Sequence, residues 1–117
     1  MLKKINRLKR NRQFQYIYKK GERAFSNCIV LMYTKTKLTY KIGFSVSTKV
    51  GGAVVRNSVK RKLREVFRSL DGKINPHFNY IVVAKQGIEK MSFENIKRDC
   101  VCCLKRADKW CENEKNN

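Results

Sequence analysis

The stretch VVRNSVKRKLREVFR, residues 54–68, concentrates side chains that grip phosphate. At 3.6 residues per turn, Arg56, Asn57, Lys60, Arg61, Arg64 and Arg68 fall within an arc of roughly 140°. Neighbours at i,i+4 rise about 6 Å along the axis, close to the spacing of phosphates along a nucleic-acid strand. Arginine supplies planar two-pronged donors, lysine a point charge, and asparagine can read a base edge or a 2′-hydroxyl. Glu65, the only acid in the stretch, is expected off that arc. A solvated basic face is the plain alternative, but six donors on one side of a chain of net charge +19 favour a polyanionic partner.

A second set is aromatic. Phe14 and Tyr18 are i,i+4 neighbours with Ile17 beside them, and Tyr33 lies near the end of an apolar run. Together they can form a platform on which single-stranded bases stack. Ordinary core packing explains the same spacing equally well.

Catalytic sets are scarce. His77, the single histidine, adjoins Pro76 in an expected surface turn, so no histidine pair exists for general acid–base work. Glu22, Glu65, Asp71, Glu89, Glu94 and Asp99 are scattered, which gives a protein-built two-metal nuclease site no ligands. Gly51-Gly52 precedes a helix, but the GxxxxGK[ST] pattern of a phosphate loop is absent. Cys100 and Cys103 are spaced CxxC among five cysteines (with Cys28, Cys102 and Cys111), yet no second pair completes a zinc site. They also sit inside a helix rather than at the strand-to-helix junction that redox chemistry favours. Free thiols packing as small hydrophobes is the expectation. No catalytic or metal-ligating residue is assigned, so any catalysis must draw on an active site supplied by another molecule.

These side chains need elements to hold them. Asn11 to Lys20 reads as a helix, with Asn11 as its cap and Gly21 as its stop. Phe25 to Thr34 reads as a strand. Tyr40 to Ser47 alternates, with Ile42, Phe44 and Val46 on one face and Gly43, Ser45 and Ser47 on the other. That small-residue face admits either a packed helix or a closely approaching ligand. The longest helix runs from about Ala53 to Leu70 on an apolar stripe of Val55, Val59, Leu63, Val66, Phe67 and Leu70. Phe78 to Ala84 is a continuous apolar strand, and Ser92 caps a last helix whose inner stripe includes Ile96, Cys100, Cys103 and Leu104. From about Glu112 onward a frayed polar tail is expected. The order is α-β-β-α-β-α, an α+β chain with one sheet, with room for a further strand in 35–40 or near Lys49.

A length of 117 residues fits a single domain, 1–117. The balance of 28 Lys and Arg against 9 Asp and Glu calls for a nucleic acid, a membrane surface or an acidic protein as counter-charge. Because the basic residues are interleaved with apolar ones throughout, a folded polyphosphate binder is favoured. No run approaches the roughly 20 apolar residues that cross a bilayer. The start, MLKKINRLKRNR, is basic and acid-poor like a transit peptide but lacks the apolar core of a signal peptide. It reads as mature sequence of a cytoplasmic protein.

The stretch KVGGAVVRNSVKRKLREVFR resembles the signature of the bacterial ribonuclease P protein component, close to KxGxAVxRNxxKRxxRE. Lys49, Gly51, Ala53, Val54, Arg56, Asn57, Lys60, Arg61, Arg64 and Glu65 match it. Likewise RLKRNRQFQYIYKKG resembles the family's opening helix, GFSVS its second strand, and YIVVAKQG the strand after the signature helix. Thr48 departs from a usual lysine and Gly52 from a common asparagine, while Tyr18 stands for a frequent phenylalanine.

The resemblance implies a two-layer α/β sandwich with a mixed central sheet and a left-handed βαβ crossover, like a ribosomal small-subunit protein domain. It implies an RNA-subunit surface of Lys49, Arg56, Asn57, Lys60, Arg61, Arg64 and Arg68. A separate cleft of Phe14, Tyr18 and Tyr33, over Ser45 and Ser47, would take the 5′ leader of precursor tRNA. The partners implied are ribonuclease P RNA, in a 1:1 ribonucleoprotein, and precursor tRNA, with no membrane. Mg²⁺ and the hydrolytic step would belong to the RNA. The alternative is a ribosomal or general basic RNA-binding protein with no role in cleavage; a protein-only nuclease would need paired carboxylates or histidines.

Overall fold

A computed structural model describes residues 11–38 and 40–111. The expected Asn11 side-chain cap, the basic segment before it, and the tail from Glu112 lie outside the described residues. The elements are α1 (Asn11–Lys20), β1 (Glu22–Phe25), β2 (Ile29–Lys35), β3 (Ile42–Ser45), α2 (Ala53–Ser69), β4 (Phe78–Ala84) and α3 (Phe93–Arg106), with a short 3-10 turn at Ile88–Lys90.

The further strand is β1, ahead of the position expected for it. The apolar run from Phe25 is interrupted at Ser26–Cys28, and the chain doubles back so that Glu22 pairs with Tyr33 and Phe25 with Val30. Residues 37–38 form a bend and 48–50 a turn, so among the described residues neither alternative position carries a further strand. Strand order is β1-β2-β4-β3. β4 is antiparallel to β2 and parallel to β3. A parallel pair needs a long crossover, and α2 provides it. Sitting between two partners, β4 buries Tyr80, Ile81 and Val82 completely, which explains its unbroken apolar sequence.

Alternation along the strands sorts their side chains onto two faces. Ile29, Leu31, Tyr33, Ile42, Tyr80 and Val82 join the main core, together with Val59, Leu63, Val66 and Phe67 of α2 and Ile96, Cys100, Cys103 and Leu104 of α3. The opposite face carries a smaller cluster, Met32 and Ile81 beneath Ile17 of α1, with Phe14, Val30 and Val83 packed around it. α1 therefore lies across β2 and β4 on the side away from α2 and α3.

Local chemistry sets the element ends. Gly21 stops α1 because a Cβ there would come within 2.5 Å of the Ile17 carbonyl oxygen. The Ser92 hydroxyl caps α3, accepting the Asn95 amide at 3.2 Å. Asp99 has a role that no local pattern announces. Its carboxylate accepts the Ser26 hydroxyl at 2.7 Å and the Cys28 amide at 2.8 Å, fixing the β1–β2 turn to α3.

Candidate nucleic-acid interface

The loop from Val46 to Gly52 leaves the end of β3 and delivers the chain to α2. It is folded on itself: the Ser47 hydroxyl accepts the Lys49 amide at 3.3 Å, and the Val50 amide reaches the Ser47 carbonyl at 3.1 Å. Gly51 is packed so closely against Val55 that an added Cβ would lie 2.8 Å from its methyl carbon. Val55 is therefore spent on the loop and stays 38% exposed instead of joining the core stripe expected of it, which begins at Val59. The Arg56 Nε donates to the Gly51 carbonyl at 3.1 Å, tying the signature arginine to the loop.

α2 starts at Gly52 without a side-chain cap or an acid in its first turn. Its amide end is thus free to face an anion, and the arginines that follow carry the same sign. Asn57 and Arg61 are exposed, Lys60 and Arg64 partly so, and Lys49 stands exposed in the loop. Arg68 is different. Its guanidinium lies 2.8 Å from Glu65, so the acid expected off the arc still engages the last arginine of the row. That exposed pair is worth only a few tenths of a kcal/mol and is readily exchanged for a phosphate.

On the other side of the sheet, the rings of Phe14 and Tyr18 lie 6.4 Å apart on one side of α1. The cavity on the far side of α1 is lined by Gln13, Tyr16, Thr34 and Asn79. Phe14 and Tyr18 point about 100–160° away from Gln13 and Tyr16 around the helix. They therefore look toward the end of the sheet marked by Val30, Val83 and Ser45, where Ser45 pairs with Val83 on edge strand β3. Gly43 and Ser45 share the face that α1 covers only over β2 and β4. Ser47 lies beyond the strand and belongs to the loop.

Tyr33 does not share the face of the sheet that Phe14 and Tyr18 overlie. It points into the main core, is 7% exposed, and meets Phe78 edge-on at 5.9 Å, with the Lys109 ammonium 4.9 Å from its ring centroid. The cause is parity: Tyr33 follows Leu31 by two residues and so shares its face. The position facing α1 is Met32, buried with Ile81 beneath Ile17, while the partly buried Val30 and Val83 flank them beside Phe14. Since both faces of β2 are apolar, only the pairing register could have identified these four strand residues.

No group of three or more His, Cys, Asp or Glu side chains among the described residues is placed to hold a metal ion. The nearest acids are engaged: Glu65 with Arg68, Asp71 with the Tyr40 hydroxyl at 2.8 Å, and Asp99 with the β1–β2 turn. The described residues therefore do not fit a Mg²⁺ site. Cys28, Cys100 and Cys103 are buried as free thiols. The hydrogen bond between Cys28 and Cys100, with burial, pushes the Cys100 thiol up, and burial likewise raises Cys103.

Comparison with known proteins shows the family and the fold. The family model for ribonuclease P matches residues 2–108. A ribonuclease P protein component from Listeria monocytogenes is 36% identical over 107 residues, 89% of each chain. Among solved structures, a Staphylococcus aureus RNase P protein mutant with defective mRNA degradation activity superposes with a TM-score of 0.84 at 35% identity, covering 91% of each chain. The RNase P protein from Thermotoga maritima gives a TM-score of 0.79 at 28% identity, over 86% of this chain and 96% of that one. The chain belongs to the ribonuclease P protein-component family.

Proposed function

We propose that the protein holds the catalytic RNA along α2 and its loop while the cleft beside α1 holds the single-stranded 5′ leader of precursor tRNA. As a ribonuclease P protein component, the chain associates with ribonuclease P RNA in a ribonucleoprotein. The observation that carries the finer reading is the position of edge strand β3. Its Ser45 lies on the cleft face, and the loop that follows leads directly into the basic row of α2. A strand leaving the RNA surface at Lys49 thus meets the cleft within a few residues.

In this reading Lys49, Arg56, Asn57, Lys60, Arg61 and Arg64 contact the RNA subunit, with Arg68 joining once it exchanges Glu65 for phosphate. Phe14 and Tyr18 stack leader bases beside the partly buried Val30 and Val83, with Ser45 at the rim. Two or three stacked bases would give the precursor an advantage over mature tRNA of about 1–3 kcal/mol per base. One protein serves one RNA. Mg²⁺ and the attack on the phosphodiester reside in the RNA, and the protein's cations lower the Mg²⁺ required by offsetting phosphate repulsion.

The test is a comparison of affinities for the reconstituted 1:1 complex. Precursor tRNA with a leader of several nucleotides should bind more tightly than mature tRNA, and Phe14→Ala should erase much of that difference. Equal affinity for the two RNAs in the unmodified complex would overturn the leader assignment.

A further inference from the structure

Tyr16 is 58% exposed on the side of α1 turned away from Phe14 and Tyr18. Two hollows meet at its ring. One, of about 280 Å³, lies between α1 and the sheet and is lined by Arg12, Gln13, Tyr16, Ile17, Thr34 and Asn79. The other, of about 450 Å³, wraps around the free end of β2 and is lined by Tyr16, Lys20, Glu22, Tyr33 and Phe78. Tyr16, Thr34 and Lys35 line both, so the hollows are two lobes of one trough.

The trough exists because β1 is shorter than β2. Pairing begins at Glu22 with Tyr33, so β1 does not reach Thr34 and Lys35. Its walls combine aromatic surface with positive charge. Arg12 lines one lobe, Lys20 the other and Lys35 both, and behind the lining Phe78 the Lys109 ammonium lies 4.1 Å from the ring centroid. Glu22 is the only acid among the lining residues. An exposed ring in a trough lined by cations matches the chemistry of single-stranded nucleic acid, in which a planar base alternates with an anionic linkage. An acidic peptide would use the charges but would leave Tyr16 idle.

We propose that this trough is a second single-stranded RNA site, in which a base stacks on Tyr16 and the adjoining phosphates are held by Lys20 and Lys35. The site is independent of the leader cleft, because Tyr16 lies about 160° around α1 from both Phe14 and Tyr18.

The test uses the full-length protein, isotope-labelled for NMR and titrated with hexauridylate RNA. The amides of Tyr16, Lys20, Thr34 and Lys35 should shift together, and should still do so in a Phe14→Ala/Tyr18→Ala variant. Tyr16→Ala should weaken that set of shifts about tenfold, while Tyr16→Phe, which keeps the ring, should preserve them. Shifts confined to α2 and the Phe14 side would overturn the proposal. So would equal shifts produced at these amides by hexaglutamate, since charge alone would then account for the trough. Loss of precursor selectivity in Phe14→Ala is read separately, so the two sites stand or fall apart.

Discussion

The Asp99 carboxylate accepts a hydrogen bond from the Ser26 hydroxyl at 2.7 Å, joining α3 to the first hairpin turn across 73 residues of sequence. The same carboxylate takes the Asn27 and Cys28 amides at 3.2 and 2.8 Å. Burial pushes the acid up, but the Cys28 and Ser26 side chains and the two amides together hold it below the ordinary aspartate value of 3.8. A carboxyl depressed in the native state stabilises the fold above its unfolded value, and that contribution is lost as the pH falls through the native one.

Asp99→Asn should therefore cost about 1–2 kcal/mol at neutral pH, a figure discounted for partial exposure. It should cost progressively less as the pH is lowered below 3.8. Urea unfolding of both proteins at pH 7 and at about pH 3 would check this; a gap that does not narrow would mean that the carboxylate charge is not what ties the turn.

Gly51→Ala should disturb the loop more than the fold. The new Cβ would meet Val55 at 2.8 Å, which pushes the loop off the first turn of α2 and loosens the Arg56 contact with the Gly51 carbonyl. Affinity for ribonuclease P RNA should fall by about tenfold, and the melting temperature by only a few degrees. A large drop in melting temperature with unchanged RNA affinity would contradict the role given to this contact.

Along α2 the arginines should differ. Arg61→Ala and Arg64→Ala should each weaken RNA binding and reduce the slope of log affinity against log salt by about one. Arg68→Ala should have a smaller effect, because Arg68 must first give up Glu65. Glu65→Gln should then tighten binding slightly. Salt titrations of the four variants decide the order.

Phe14→Ala and Tyr33→Ala should separate cleanly. Phe14 lies at the cleft and is only partly buried, so its loss should reduce precursor selectivity with little effect on stability. Tyr33 packs in the core against Phe78, so its loss should cost about 3 kcal/mol of stability and leave the precursor-to-mature ratio unchanged. Met32→Ala, beneath Ile17 where α1 packs on the sheet, should lower stability and, by loosening α1, selectivity with it.

Much of this arrangement is legible in the residues. The period of Val59, Leu63, Val66 and Phe67, the unbroken run of β4 and the Ser92 cap locate three elements almost to the residue, because each is governed by local pattern. The signature row from Lys49 to Glu65 carries the resemblance to the family whose model matches the chain. Where the reading failed, the information was not local. Ile29, Val30, Leu31, Met32 and Tyr33 are all apolar, so nothing in their order says which of Met32 and Tyr33 faces α1; the pairing with β4 decides it. β1 was hidden because its turn is closed by Asp99, far along the chain. Val55 fits the helical stripe by period, yet it is drawn off by Gly51.

A ribonuclease P protein component is expected to make its catalytic RNA a better processor of precursor tRNA. The direct measurement is precursor-tRNA cleavage by bacterial ribonuclease P RNA at low Mg²⁺, with and without the protein. Faster cutting at the mature 5′ end when the protein is present, with no cutting by protein alone, is the predicted result. No stimulation with a cognate RNA, or cleavage by the purified protein on its own, would contradict the account.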